Sequence, residues 1–176
     1  MMRIVIEAIA GEYRRYKSLV EKALAQLSDD QLHERAGDGN SVATLMQHLG
    51  GNLQSRFTDF LTADGEKPWR DRESEFEARR VSREELIEGW EKGWSVLFGT
   101  LDTLTDAQLD ATVTIRGVGL SVIEALTRSL SHAAYHSGQI VLLAKTMRGE
   151  GWKYLSIPPK GSAAYNEKPD LEKPPR

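Results

Sequence analysis

The stretch SLSHAAYHSGQI, residues 129–140, sets His132 and His136 four positions apart. On an α-helix that spacing puts two side chains on one face, a turn apart. Around the pair, Val122, Leu126, Leu130, Ala133, Val141 and Ala144 recur at helical intervals, so both histidines belong to a helix that opens at Ser121. Ser121 and Glu124 have capping-box spacing, in which the serine oxygen accepts a free backbone N–H and the glutamate reaches back to the cap. At 3.6 residues per turn the two histidines fall at the edge of the apolar stripe, beside Ala125, Ile140 and Leu143, while Arg128 and Tyr135 face solvent. A partly buried imidazole pair needs partners for its ring nitrogens. A metal ion would serve both at once; spacing alone equally allows an ordinary pair in a buried helix.

The same periodicity predicts three more helices. The first runs from about Ile4 to Leu27. The second opens at Ser41 and carries Val42, Leu45, Leu49, Leu53 and Phe60 on one stripe. The third opens at Ser82, with Glu85 completing a capping box, and carries Leu86, Trp90, Trp94, Leu97 and Leu101. Four long amphipathic helices predict an all-α fold, a four-helix bundle over residues 1–156. The β-branched stretch ATVTIRG (111–117) reads as a short extended piece without a sheet. The crossover DGEKPWRDRESEFEARR (64–80) is long and polar and reads as mobile. An echo, LSDDQL at 27–32 and LTDAQL at 104–109, raises the question of a duplication; if real, the first helix pairs with the second and the third with the fourth. Residues 157–176 hold five of the six prolines and read as an irregular Pro-rich arm that cannot continue a helix. Trp152, Tyr154, Leu155, Ile157 and Tyr165 predict that the start of this region packs on the bundle or on a second subunit.

Composition narrows the function classes. The chain has 176 residues, a net charge of -3 and no cysteine. Disulfides, thiolate metal sites and a cysteine nucleophile are therefore excluded. No basic excess or basic run calls for nucleic acid or an anionic membrane. The short apolar stretch near the N-terminus does not read as a secretion signal, and no run approaches the roughly 20 apolar residues of a membrane span. A cytoplasmic protein with a small-molecule substrate is the expectation.

On the second helix His48, Asn52, Ser55 and Asp59 project in one line beside the apolar stripe. His48 thus occupies an inward-edge position like that of His132 and His136. Two imidazoles from one helix and one from another would cap a cation and leave coordination positions open, as catalytic sites do. Neutral imidazoles suit zinc, nickel, iron or copper. The metalloprotease motif is absent, since Ala133 stands where that motif needs glutamate. His33 sits in a polar stretch and reads as solvated. Arg56 projects into the second helix's apolar stripe, where it needs an internal carboxylate or an anionic ligand. Asn52 and Gln139 are placed either for helix–helix hydrogen bonds or for contact with a ligand. Ser131, Tyr135, Gly138 and Leu142 form an outward line on the fourth helix that reads as a contact surface.

The segments HLGGNLQSRF (48–57), SHAAYHSGQI (131–140) and LSIPPKGSAAYNE (155–167) together resemble the DinB/YfiT-like metalloenzymes, in particular a branch known mainly as a domain of unknown function. The resemblance covers nearly the whole chain. It implies a four-helix bundle, often a homodimer, and a divalent ion, zinc or nickel, on His48, His132 and His136. Some members of that group transfer low-molecular-weight thiols, so a thiol cosubstrate and S-transfer or hydrolysis are implied. The alternative is a non-catalytic metal-binding or stress-response module. No residue matches a particular thiol or substrate, and no glutamate stands at a helical spacing that marks it as a base.

Overall fold

Serine caps set the starts of three of the four long helices. The structure, a computed structural model, describes residues 2–35, 37–77 and 79–173. The last three residues of the Pro-rich arm lie outside them. The protein is mostly helical, with six α-helices and a two-stranded sheet among the described residues. Helix α1 spans Ile4–Leu24, the short α2 Asp29–His33, α3 Val42–Phe57 and α4 Arg83–Thr103; α5 spans Val122–Arg148 and the short α6 Ser162–Glu167. Ser41, Ser82 and Ser121 cap α3, α4 and α5, each accepting a backbone N–H three residues on. The four expected helices are α1, α3, α4 and α5. Their apolar stripes meet in one core that buries Tyr13, Leu49, Leu53, Trp90, Trp94, Leu97 and Leu126. Each such side chain stabilises the fold by roughly 1.5–3 kcal/mol.

The echo turns out to be a matter of caps. Ser28 N donates to Gln31 Oε1 at 2.9 Å, and Thr105 N donates to Gln108 Oε1 at 3.0 Å. The pairing expected from a duplication does not occur. Helix α3 packs most closely with α4, and α1 with α5. The reason lies in small residues at the α3–α4 crossing. A Cβ on Gly50 would stand 2.9 Å from the carbonyl oxygen of Gly89, and one on Gly93 would stand 2.8 Å from the Cα of Gly50. Backbone therefore meets backbone, which larger side chains at these positions would prevent.

Two further expectations are corrected. ATVTIRG does enter a sheet: β1 (Thr112–Ile115) pairs antiparallel with β2 (Val118–Ser121), Thr112 opposite Ser121. The connecting residues Arg116 and Gly117 both have positive φ, 55° and 74°, as a two-residue hairpin turn of the mirror-image type requires. Arg116 is unusual there, and Asp64 holds the turn from a distance, accepting the N–H groups of Arg116 and Gly117 at 2.8 Å each. Those hydrogen bonds, with one from Glu66 N, hold the Asp64 carboxyl down at about 2.

The crossover, expected to be mobile, is tied down along α3. Ser55, buried, donates to Gly65 O at 2.8 Å and accepts from Lys67 N at 3.2 Å; Gly65 N donates to Thr114 O at 2.8 Å. A 3₁₀ turn, Glu73–Phe76, then lies across α3. Helix α3 ends at Phe57, so the projected line stops short of Asp59, which sits in the following turn with φ 49°. His33, expected to be solvated, ends α2, and its ring Nε2 lies 2.9 Å from Val81 O. The expected packing holds in part: Trp152 and Leu155 rest on the core, but Tyr154 and Ile157 are exposed; Tyr165 OH accepts Leu171 N at 2.9 Å within the arm, and Arg15 reaches Leu171 O from α1. The arm is not wholly irregular, since α6 interrupts it.

Gly93→Ala forces α3 and α4 apart and should lower stability by about 1–3 kcal/mol. Gly99→Ala, on an exposed stretch of α4 with open space around it, should leave stability unchanged or raise it by up to about 1 kcal/mol. Denaturant midpoints of the two variants check this.

Candidate metal centre

Helix α3 contributes His48 and α5 contributes His132 and His136. The Nε2 atoms of His48 and His132 are 3.2 Å apart, and those of His136 and His132 3.1 Å. A ring nitrogen from each of the three lies within 4.8 Å of the other two. Three imidazoles on one ion at about 2.0–2.1 Å, in tetrahedral geometry, hold their nitrogens about 3.3–3.4 Å apart. The two spacings to His132 are close to that value, and the third stays within 4.8 Å.

The other ring nitrogens show how each imidazole is oriented. His48 Nδ1 faces Glu75 Oε2 at 2.9 Å, and His136 Nδ1 faces Gln139 Oε1 at 2.8 Å. Both oxygens accept, so each Nδ1 carries the proton, and in the neutral, metal-binding form each Nε2 keeps its lone pair. Two lone pairs then point at a third ring. A single proton on His132 Nε2 cannot be directed well at both, whereas a cation takes a lone pair from all three.

Glu75 is the residue that sequence reasoning missed. It comes from the crossover and belongs to no helix periodicity. Its side chain is largely buried and accepts two hydrogen bonds from Arg70, at 2.8 and 2.9 Å, besides that of His48. Gly51 makes room for it: a Cβ there would press on the Glu75 carboxylate, 3.1 Å from its Cδ. The one available signal was this glycine, three positions after His48. Phe76 follows Glu75 and sets its ring 4.7 Å from that of His48.

Burial and the positive charges around it push His132 down to about 3; loss of water is the larger cause, then His136, His48, Arg70 and Arg56. His136 is also lowered, by burial, against the hydrogen bond to Gln139. Both rings are therefore neutral near pH 7, the form that binds metal.

His48 and His132 line a cavity of about 330 Å³. Asn52 lines it too. Gln139 instead hydrogen-bonds to His136 within α5. Arg56 makes the internal ion pair, with Glu66 Oε2 at 3.1 Å, and also reaches Gly65 O. Burial holds Arg56 below the usual guanidinium range, opposed by Glu66, with Arg70 and Arg116 adding repulsion.

Residues 2–161 match a family described as a protein of unknown function, DUF1572. The chain belongs to the DUF1572 family. No curated protein and no solved structure matches it. The DUF1572 match takes in all three histidines, Glu75 and the start of the C-terminal arm. No described helix of this DUF1572 protein is long and apolar enough to cross a membrane.

The neutral His132 has a consequence for stability. Its folded value lies below its unfolded one, near 6.5, so below that pH the unfolded chain binds a proton that the folded chain does not. Chelator-treated protein should lose stability as pH falls from 6.5 towards 3, and His132→Gln should flatten this dependence. Urea midpoints at several pH values measure it.

Proposed function

We propose that this protein is a metal-dependent enzyme of the DinB-like type, a four-helix bundle that binds a divalent ion, zinc or nickel, through His48, His132 and His136. The observation that carries the reading is the convergence of three Nε2 atoms, two of them with their protons fixed on the far side of the ring. Three nitrogen ligands leave room for water or substrate, as in catalytic rather than structural zinc sites. The bound ion would supply Lewis acidity, lowering the pKa of a water or thiol beside it.

The chain's own residues orient and screen. Glu75 and Gln139 fix the ring planes of His48 and His136, an arrangement that raises ligand basicity. Phe57, Phe60 and Ile115 make part of the cavity wall apolar. Asn52 offers an amide for hydrogen bonding. Among the described residues no aspartate or glutamate lines the cavity, and Glu75 is already engaged by Arg70 and His48. Proton transfer to or from water thus lacks a carboxylate at the cavity wall. A thiol ionises more readily and needs less help, which favours thiol S-transfer over hydrolysis.

Protein purified without a histidine tag should hold about one ion per chain by elemental analysis. His132→Ala should reduce that to a small fraction, and His33→Ala should leave it unchanged. Glu75→Gln should weaken metal affinity by roughly 10–100-fold, read by competition with a chelator. Metal-loaded protein should then speed the loss of a low-molecular-weight thiol with an electrophile. Stoichiometric metal without thiol or ester turnover would instead make the protein a binding module.

A further inference from the structure

Five arginines line the cavity beside His48 and His132: Arg56, Arg70, Arg72, Arg116 and Arg128. They come from four separate parts of the chain, namely α3, the crossover, the hairpin turn and α5. The carboxylates that pair with them, Glu66, Glu73 and Glu75, are not among the lining residues. Arg56 and Arg116 share one carboxylate, that of Glu66. Arg128, which the sequence places towards solvent, is exposed but lines the cavity, and it forms no salt bridge among the described residues. Arg72 lies over the Phe76 ring, 4.8 Å from its centroid.

Like charges repel, and their repulsion grows as water is excluded. Gathering guanidinium groups around one enclosed space is favourable when an anion enters it. Guanidinium is also the group whose planar fork best matches a carboxylate or phosphate. The backbone contributes to the placement: Arg116 holds a positive φ at the hairpin turn, which Asp64 fixes through two N–H groups. The cavity also has an apolar lining, Phe57 and Phe60, both nearly fully buried, together with Ile115. A volume of about 330 Å³ lies at the small end of ligand pockets.

We infer that the cavity binds a small organic oxyanion, with its carboxylate or phosphate among the arginines and its apolar body against Phe57, Phe60 and Ile115. This rests on the proposed function only in naming the class of substrate; the anion site itself does not need the metal. Arg56 and Arg70, tied to Glu66 and Glu75, set the field inside the cavity. Arg72, Arg116 and Arg128, the more exposed three, grip the head group.

The test is binding of phenylacetate, phenyl phosphate and the neutral phenylacetamide, by calorimetry, to the protein as purified and after chelator treatment. Metal content is measured on the same samples, so the metal reading stands or falls separately. The expected result is that at least one anion binds the chelator-treated protein roughly tenfold or more tighter than the amide, since hydrogen bonds to charged groups are the stronger ones. Whichever anion binds tighter identifies the head group. Arg128→Gln should weaken that anion roughly tenfold, while Arg148→Gln, at the far end of α5, should not. Equal binding of amide and anions overturns the inference, as does no binding of either anion. So does anion binding that requires the metal and ignores Arg128→Gln, because the anion would then sit on the ion. An equal loss in Arg148→Gln overturns it too, since net charge alone would explain the effect.

Discussion

His48 and His132 stand with their Nε2 atoms 3.2 Å apart although 84 residues separate them. Two imidazoles at that distance need the helices beneath them held firmly, and α3 is the helix on which this depends. It is packed on one side against α4, where Gly50 and Gly93 let the backbones meet. It touches α5 on another side, and it carries the crossover along a third. Displacing α3 by an ångström would take His48 out of reach of the pair on α5. The glycine crossing is thus a structural condition for the site, even though it lies away from the histidines.

The crossover connects fold and chemistry. In the sequence it is a polar run rich in charges, and such runs are usually solvated. Here Ser55 and Asp64 satisfy the backbone polar groups at its start, and Glu75 brings a carboxylate to His48 from a segment with no periodicity of its own. The same segment supplies Arg70 and Arg72 to the cavity. Its order follows from hydrogen bonds to α3 and to the hairpin, partners distant in sequence. The hairpin in turn depends on the crossover, since Arg116 is unfavourable at positive φ unless something holds the turn. Each of the two irregular pieces stabilises the other, and together they wall the cavity.

Charge is arranged in two shells around the histidines. Nearest them, Glu75 and Gln139 fix protons on the far ring nitrogens. Farther out, arginines line the cavity, and two of them, Arg70 and Arg56, help to keep His132 neutral. A cation at the three nitrogens and an anion among the arginines are electrostatically compatible, because each would offset the field of the other.

Much of the fold was legible from local chemistry. Ser41, Ser82 and Ser121 marked the starts of the three capped helices, because a cap is satisfied by residues only three positions away. Helical periodicity put His48, Asn52, His132 and His136 on inward edges, because a helix face is fixed by sequence spacing. Periodicity also gave Arg56 its need for a partner, and Glu66 is that partner. Helix pairing was not legible: α3 chose α4 over α1 because Gly50 on one helix and Gly93 on the other coincide in space, which no single stretch reveals. Nor was the role of Glu75, the hairpin or the clustering of five arginines, since each depends on atoms brought together across dozens of residues. The sequence by itself determined which residues could face inward; the packing of α3 decided which of them meet, because a shared centre requires distances that only the assembled helices set.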